Sequence, residues 1–240
     1  MSSAELVLGA AGLLGQPTIR FGSFAISESA LTATALTVAL ASAAAWTKSR
    51  LRMRDPAGWQ LVLELAVQGM DTTVRESISK APERILPLVG TLWIYILFAN
   101  LIGLIPGLHS PTGDLSVTGA LAMIVFFAVP FYGVRAAGWA AYVREYFSPM
   151  FWMFPFHLMS ELTRTLTLAV RLFGNMTGME VAIGILLLLA GLLVPVAFLF
   201  LHLIEALLQA YIFGMLALVY IAGGMQALEE KEQPKGGTVR

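Results

Sequence analysis

Ionisable side chains interrupt the long apolar stretch in the last third of the chain. Arg171 and Glu180 lie in one apolar segment, and His202 and Glu205 lie in the next. Arginine does not release its proton in a protein, so it cannot relay protons, but it attracts carboxylates and keeps them ionised. Glutamate and histidine can bind and release protons where water reaches them. Such groups in an apolar span indicate an ion path that a fixed positive charge keeps from running straight through.

The spacing of these residues predicts which helix faces they share. Arg164 and Arg171 are seven residues apart, about 20° short of two helical turns, so we expect both to be buried on one face. His202 and Gln209 share a face of the next helix for the same reason. If the helices are antiparallel and Arg171 is level with Gln209, Glu180 is level with His202. We therefore predict an arginine–amide tier near mid-membrane and a carboxylate–imidazole tier nearer the outside.

Some of these residues also have a structural explanation. Glu161 and Arg164 can form an ion pair along the helix, or Arg164 can extend toward the inner headgroups. Asn175 and Gln209 can form a hydrogen bond between the helices. For Glu205 and His157 a structural and a functional role are equally open. The candidates for ion translocation are Arg171, Glu180, His202, Gln209, Asn175 and Glu205, and those for an inner half-channel or a second gate are Arg164, Glu161 and His157.

The composition excludes several classes of protein. Hydrophobic residues make up 58% of the chain and charged residues 12%, where soluble domains have roughly 25% charged residues. The net charge of zero gives no electrostatic basis for binding nucleic acid. The chain has no cysteine, and it lacks a nucleophile–base spacing, a phosphate loop and a metal-ligand cluster. We therefore expect a membrane protein that is not an enzyme on its own and has no cofactor or metal.

The apolar stretches predict an all-α membrane protein with a single domain, residues 1–240, and five spanning helices. A span needs roughly 20 apolar residues, and the segments of this chain come close to or exceed that length. Residues 1–28 form an N-terminal segment and residues 229–240 form a tail. The predicted spans are residues 29–46, 85–106, 115–134, 147–190 and 195–228.

Residues 57–80 have a different pattern. Apolar residues recur there at steps of three and four, with Glu64, Asp71 and Arg75 between them. This pattern predicts an amphipathic helix on the membrane surface, with an ordinary helix packed on other protein as the alternative.

The distribution of lysine and arginine predicts the orientation. Residues 48–84 contain seven of them, and the loop 107–114 contains none. Because basic loops stay on the cytoplasmic side, the N-terminus is expected outside and the tail inside. In the outer loop we expect Asp114 to be solvated, and we expect the nearby Asn100 to be structural.

Three segments resemble one protein family. The sequence RLFGNM at residues 171–176 is similar to the motif of subunit a of F-type ATP synthases, and the similarity continues to Glu180. His202 with QAYIF at residues 209–213, and FANLIGLIP at residues 98–106, also resemble that family. The resemblance covers roughly residues 25–228.

The resemblance implies a stator subunit whose long, tilted last two helices lie against a ring of c subunits. In that family two offset aqueous half-channels lead ions to and from the ring carboxylates, and this flow is coupled to ATP synthesis or hydrolysis. Arg171 matches the arginine that separates the half-channels. Glu180 and His202 match outer half-channel residues, and Asn175 and Gln209 match polar neighbours of the arginine. The implied partners are the c-ring, b-type peripheral stalk subunits, the remaining complex and the lipid of a bacterial inner membrane.

The chain departs from the usual pattern of that family in three places. Many relatives have proline where this chain has Thr165, and glutamate where it has His157, while Glu205 is an additional carboxylate. These differences leave the residues that line the inner half-channel undetermined. They are compatible with a divergent branch that uses sodium instead of protons. A self-contained secondary transporter is the alternative function, although the inverted repeats and broken helices common in transporters are missing. A structural membrane anchor would not need the buried charges.

Overall fold

The computed structural model describes residues 18–21, 24–51, 58–78, 82–105, 108–146, 152, 154–190 and 193–232. Its helices are joined by short connections, and a 3₁₀ turn, Pro111–Gly113, lies between the third and fourth. The elements are strands β1 (Thr18–Phe21) and β2 (Phe24–Ser27) and helices α1 (Glu28–Arg50), α2 (Gly58–Ser77), α3 (Pro82–Ile102), α4 (Leu115–Ala137), α5 (Trp139–Tyr146), α6 (Phe154–Ala190) and α7 (Leu193–Glu232).

The prediction of five spanning helices is confirmed. Helices α1, α3, α4, α6 and α7 are long and apolar enough to cross a membrane. The bounds differ where a helix and an apolar stretch do not coincide. Helix α1 continues through Lys48 to Arg50, because long basic side chains favour a helix as well as apolar ones do.

Several predicted bounds are wrong in the described part of the chain. Helix α2 ends at Ser77 and not at residue 80, α4 ends at Ala137 and not at residue 134, and α7 runs from Leu193 to Glu232, so that residues 229–232 of the predicted tail are helical. Helix α3 ends at Ile102 and not at residue 106, because a helix usually ends before a proline. Helix α6 begins at Phe154, and the short helix α5 precedes it. Gly138, with φ +85°, separates α4 from α5, a backbone conformation that glycine adopts readily. Residues 147–151 and 153 of the predicted fourth span lie outside the described residues, as do residues 1–17 and the tail beyond residue 232.

The all-α prediction omitted a short hairpin. Strands β1 and β2 pair antiparallel, with Thr18 opposite Ser27 and Phe21 opposite Phe24. β-Branched and aromatic residues favour strands, and Ile19 and Ile26 form one of the pairs.

The protein interior lies between α3, α4, α6 and α7. Leu92 and Ile96 of α3 meet Val125 of α4, Leu172 of α6 and Phe213 of α7 in one buried cluster. Helix α1 packs at the margin of this interior, against α3, α4 and the 3₁₀ turn, and its buried residues are Ser29 and Leu36.

Helices α3 and α7 approach closely at one glycine. A Cβ atom on Gly214 would overlap the indole of Trp93. The Trp93 Nε1–H donates to the carbonyl of Tyr211 at 3.2 Å, and the two rings stack at 6.3 Å. The glycine therefore leaves the space that the tryptophan side chain fills.

The apolar stripe of α2 is divided between two environments. Val74 packs with Ile85 and Ile221 in a second buried cluster. Trp59 and Val62, nearer the N-terminus of the same helix, are 40% and 65% exposed. The C-terminal half of α2 is thus an ordinary packed helix, and the surface-bound position on the membrane stays a prediction for the N-terminal half.

Candidate functional site

The carboxylate of Glu180 is held by the loop between α3 and α4. Its Oε1 accepts a hydrogen bond from the backbone N–H of Ser110 at 2.9 Å. Its Oε2 lies 3.8 Å from Nδ1 of His109. Gly103 and Gly113 adjoin the carboxylate: a Cβ atom on Gly113 would lie in van der Waals contact with Oε2 at 3.4 Å, and one on Gly103 with Oε1 at 3.7 Å. The outer loop thus forms a fitted seat for this carboxylate.

A chain of buried hydrogen bonds fixes this loop. The Ser110 hydroxyl donates to the carbonyl of Ala99 at 2.9 Å and lies 2.6 Å from the Thr112 hydroxyl. Thr112 in turn donates to Oδ1 of Asn100 at 2.7 Å. Ser110, Thr112 and Asn100 are all buried. Buried polar groups need such partners, and this bond is the kind of structural contact expected for Asn100.

Asp114 is more than a solvated loop residue, which corrects our expectation. Its Oδ1 accepts hydrogen bonds from the backbone N–H of Ser116 at 2.8 Å and from the Ser116 hydroxyl at 2.7 Å. It therefore caps the N-terminus of α4, a position where aspartate is favoured because it satisfies a free N–H.

No hydrogen bond joins Glu180 and His202, the two groups of the predicted carboxylate–imidazole tier. His202 is fully buried, and neither of its ring nitrogens has a hydrogen-bond partner among the described residues. Glu180 contacts the outer loop instead. The relative level of the two residues follows from the register of α6 against α7.

Two contacts define the actual register of α6 against α7. The side-chain amide of Asn175 donates to Oε1 of Gln209 at 2.8 Å, and the guanidinium of Arg164 lies 5.3 Å from the ring centre of Tyr220. Arg164 is eleven residues before Asn175, and Tyr220 is eleven residues after Gln209, so both contacts obey one antiparallel register. Arg171 is then about one turn, roughly 6 Å, from the level of Gln209.

That register places other residues as well. It brings Phe213 level with Arg171, and Ile204 level with Glu180. Glu205 is then nearer than His202 to the level of Glu180. The expectation that Arg171 is level with Gln209 is wrong by about one turn, since the amide of Asn175, one turn farther along α6, bonds to Gln209.

The two arginines are exposed on the surface of the chain, which corrects the expectation that both are buried. Arg164, Arg171, Gly174 and Gly178 lie on one exposed face of α6. No side chain from elsewhere lies within 4 Å of a Cβ atom built on either glycine. Within the described part of the chain, Arg171 makes no hydrogen bond or ion pair. The described residues therefore leave this face of α6 exposed around Arg171, Gly174 and Gly178.

The remaining candidates lie at different levels: His157 and Glu161 near the start of α6, and Glu205 on α7 close to the level of Glu180. Glu161 is partly buried, and its backbone carbonyl accepts a hydrogen bond from the Thr165 hydroxyl at 3.0 Å. His157 is exposed and Glu205 is partly buried. Among the described residues, no group of three acidic or histidine side chains is placed to hold a metal ion.

Sequence reasoning missed the contribution of the outer loop to the site. The run from Ser110 to Asp114 has the serine, proline, threonine, glycine and aspartate typical of turns and helix caps, so a turn could have been predicted. No sequence pattern in this loop predicts its contact with Glu180, which is 70 residues later in the chain.

An apolar cleft of about 350 Å³ lies elsewhere, between α2, α3 and α7. Met70, Trp93, Leu97 and Leu207 contribute to its lining. None of the candidate ion-path residues lines it, so it is not part of the site.

Comparison with known proteins identifies the family. The family of ATP synthase A chains matches residues 29–222. ATP synthase subunit a of Legionella pneumophila strain Corby is 46% identical over 226 residues, which cover 94% of this chain and 98% of that protein. ATP synthase subunit a 2 of Pelobacter propionicus is 48% identical over 220 residues, which cover 92% and 96%. This chain therefore belongs to the family of ATP synthase a subunits, the non-catalytic subunits of the membrane sector.

Proposed function

We propose that this chain supplies two offset aqueous half-channels that carry protons to and from the carboxylates of a c-ring. The flow of protons through them is coupled to the synthesis or hydrolysis of ATP by the rest of the complex. Membership of the family favours this role over a self-contained secondary transporter.

One observation carries the proposal: the side chain of Arg171 is exposed, and it makes no ion pair with the residues that the structure describes. It lies in an apolar helix with exposed apolar neighbours, such as Val170 at 57% and Leu166 at 56% exposed. An unpaired charge on a lipid-facing surface would cost several kcal/mol. A partner that brings a carboxylate to this face would satisfy it, and a ring of c subunits has that chemistry in relatives of this family.

The other polar residues fit on either side of Arg171. Glu180, His202 and Glu205 are assigned to the outer half-channel, and the bonded pair Asn175 and Gln209 is assigned to the boundary beside the arginine. Orphaned nitrogens on His202 and on Gln209 support water in this region, because buried waters usually satisfy such groups. The inner half-channel, or a second gate, is assigned to Arg164, Glu161 and His157.

The proposed setting is the inner membrane of a bacterium. The N-terminus lies outside and residues 229–240 lie in the cytoplasm, as the distribution of basic residues predicts. The proposed partners are the c-ring, b-type peripheral stalk subunits and the remaining complex.

The test is Arg171→Ala in the complete complex. We expect ATP-driven acidification of inverted membrane vesicles to fall to background, because nothing would hold a passing carboxylate ionised or separate the half-channels. Copurification of the c-ring and stalk subunits with the variant establishes that the complex still assembles. Acidification at the normal rate in Arg171→Ala would overturn the proposal.

Thr167→Ala is the matched control. Thr167 is also exposed on α6, and its hydroxyl donates to the carbonyl of Thr163 on the same helix at 2.7 Å. We expect this variant to pump normally. The same vesicles distinguish the ions, because an uncoupler stops net proton uptake but does not stop primary uptake of sodium.

A further inference from the structure

We propose that His109 is the proton-entry residue of the outer path, which collects protons from the outside water and transfers them to Glu180. This inference rests on the proposed outer half-channel, and it adds a residue for which the family motifs gave no indication. His109 combines contact with water and proximity to the carboxylate. Its side chain is 68% exposed, whereas that of Glu180 is 25% exposed.

The geometry suits transfer of a proton in one short step. Nδ1 of His109 lies 3.8 Å from Oε2 of Glu180, slightly beyond hydrogen-bonding distance. A small rotation of the exposed imidazole, or one bridging water, closes this gap. In the step the N–H bond of the imidazolium breaks and an O–H bond forms on the carboxyl group. The neutral imidazole then takes a new proton from the outside water.

The loop holds the acceptor so that one oxygen faces the histidine. The backbone N–H of Ser110 occupies Oε1 of Glu180 at 2.9 Å, which leaves Oε2 toward His109. The Thr177 hydroxyl donates to the carbonyl of Gly113 at 3.2 Å and so ties the loop to α6 one turn before Glu180. The positions of donor and acceptor are therefore fixed by the same loop.

The charged groups around this pair leave His109 as its direct partner. The Asp114 carboxylate is bonded to Ser116, and Glu28 stands at the first position of α1. On α7 the titratable groups nearest this level are His202 and Glu205. Among the described residues, His109 is the basic side chain that approaches the Glu180 carboxylate, at 3.8 Å. Imidazole gains and loses protons near neutral pH, which suits it to this transfer.

The experiment uses the complete complex in liposomes, with the outer face of this chain toward the lumen and an imposed potential driving ATP synthesis. We expect His109→Gln to lower the rate at neutral lumen pH by about fivefold, less than the roughly 10²- to 10⁴-fold effect of general acid–base groups because water can bypass the residue. The loss should shrink when the lumen is acidified. Imidazole buffer in the lumen should restore much of the rate, whereas phosphate buffer of equal capacity should not.

Two comparison variants separate the possible outcomes. Leu108→Ala changes the exposed neighbour of His109. We expect this variant to synthesise ATP at the normal rate, and imidazole in the lumen should not change that rate. Glu180→Gln should be slow with or without imidazole. If Glu180→Gln is slow but His109→Gln is normal, or is slow without rescue, the entry role of His109 is overturned while the proposed outer path stands. A normal rate in Glu180→Gln would instead overturn that path.

Discussion

Two charged residues of helix α6, Glu180 and Arg171, differ in the contacts that they make within the chain. Glu180 is seated in a loop of the same chain, with a backbone donor at 2.9 Å and two glycines against its carboxylate. Arg171, nine residues earlier, has no hydrogen bond or ion pair with the described residues and lies on an exposed face. The described residues complete the first site, and under the proposed function a group from outside the chain completes the second.

This contrast separates the two kinds of role that a charge can have within a membrane. A charge that must stay in place while protons come and go benefits from fixed neighbours in its own chain. A charge that must act on successive partners has to be free of permanent ones. Variants at each site should therefore affect different measurements.

After the complete loss of pumping expected for Arg171→Ala, the largest effect in this comparison is expected for Glu180→Gln. The amide oxygen can still accept the bond from Ser110, so the loop should stay folded, but the amide cannot bind a proton. We expect ATP synthesis driven from the outer side to fall by at least about tenfold, with an unchanged melting temperature of the complex. An unchanged rate would indicate that another group, with Glu205 the first candidate, carries the outer step.

Thr112→Val should affect stability rather than chemistry. The change keeps the shape of the side chain and removes the hydroxyl, which leaves Asn100 Oδ1 without this donor. An unsatisfied buried group costs roughly 1–3 kcal/mol, so we expect a loss of about 2 kcal/mol in the free energy of unfolding in detergent. The control Thr167→Val lies on the exposed face and should change stability by no more than about 0.5 kcal/mol. Equal losses in both variants would contradict the role of the buried chain of bonds.

The smallest effect is expected at the bond between Asn175 and Gln209. A double-mutant cycle with Asn175→Leu and Gln209→Met should give a coupling free energy of about 0.6–1 kcal/mol, the range of polar contacts between membrane helices. The measurement is the unfolding free energy of the two single variants and the double variant. Strict additivity would show that the amides are not bonded and that the register of α6 against α7 needs revision.

The sequence was sufficient to predict the spanning helices, but not to predict how far each is shifted along its axis relative to its neighbours. Long uncharged runs predict the spans because water and lipid sort residues by polarity alone. The level of Gln209 relative to α6 depends on side chains that face each other across two helices. A seven-residue spacing on each helix fixes a face, and leaves the offset along the axis undetermined by about a turn.

Contacts distant in sequence account for the remaining differences. The loop residue His109 and the span residue Glu180 carry no pattern that predicts their approach at 3.8 Å. The exposure of Arg171 was equally hidden, because composition gives the polarity of a helix but not which of its faces the chain leaves uncovered. Helix α3 ends at Ile102, a few residues before Pro106, and α6 begins at Phe154, after the short helix α5.

The insertion of Trp93 at Gly214 has a mechanical consequence. Under the proposed function, a turning ring pushes sideways on α6 and α7 at every step, and a stator that yielded would waste torque. The indole fills the notch at Gly214 and is bonded to the carbonyl of Tyr211. Because a close-packed contact cannot shift without opening a void, α7 can neither slide along α3 nor roll about its axis at this point. The contact thus opposes sliding of α7 along α3.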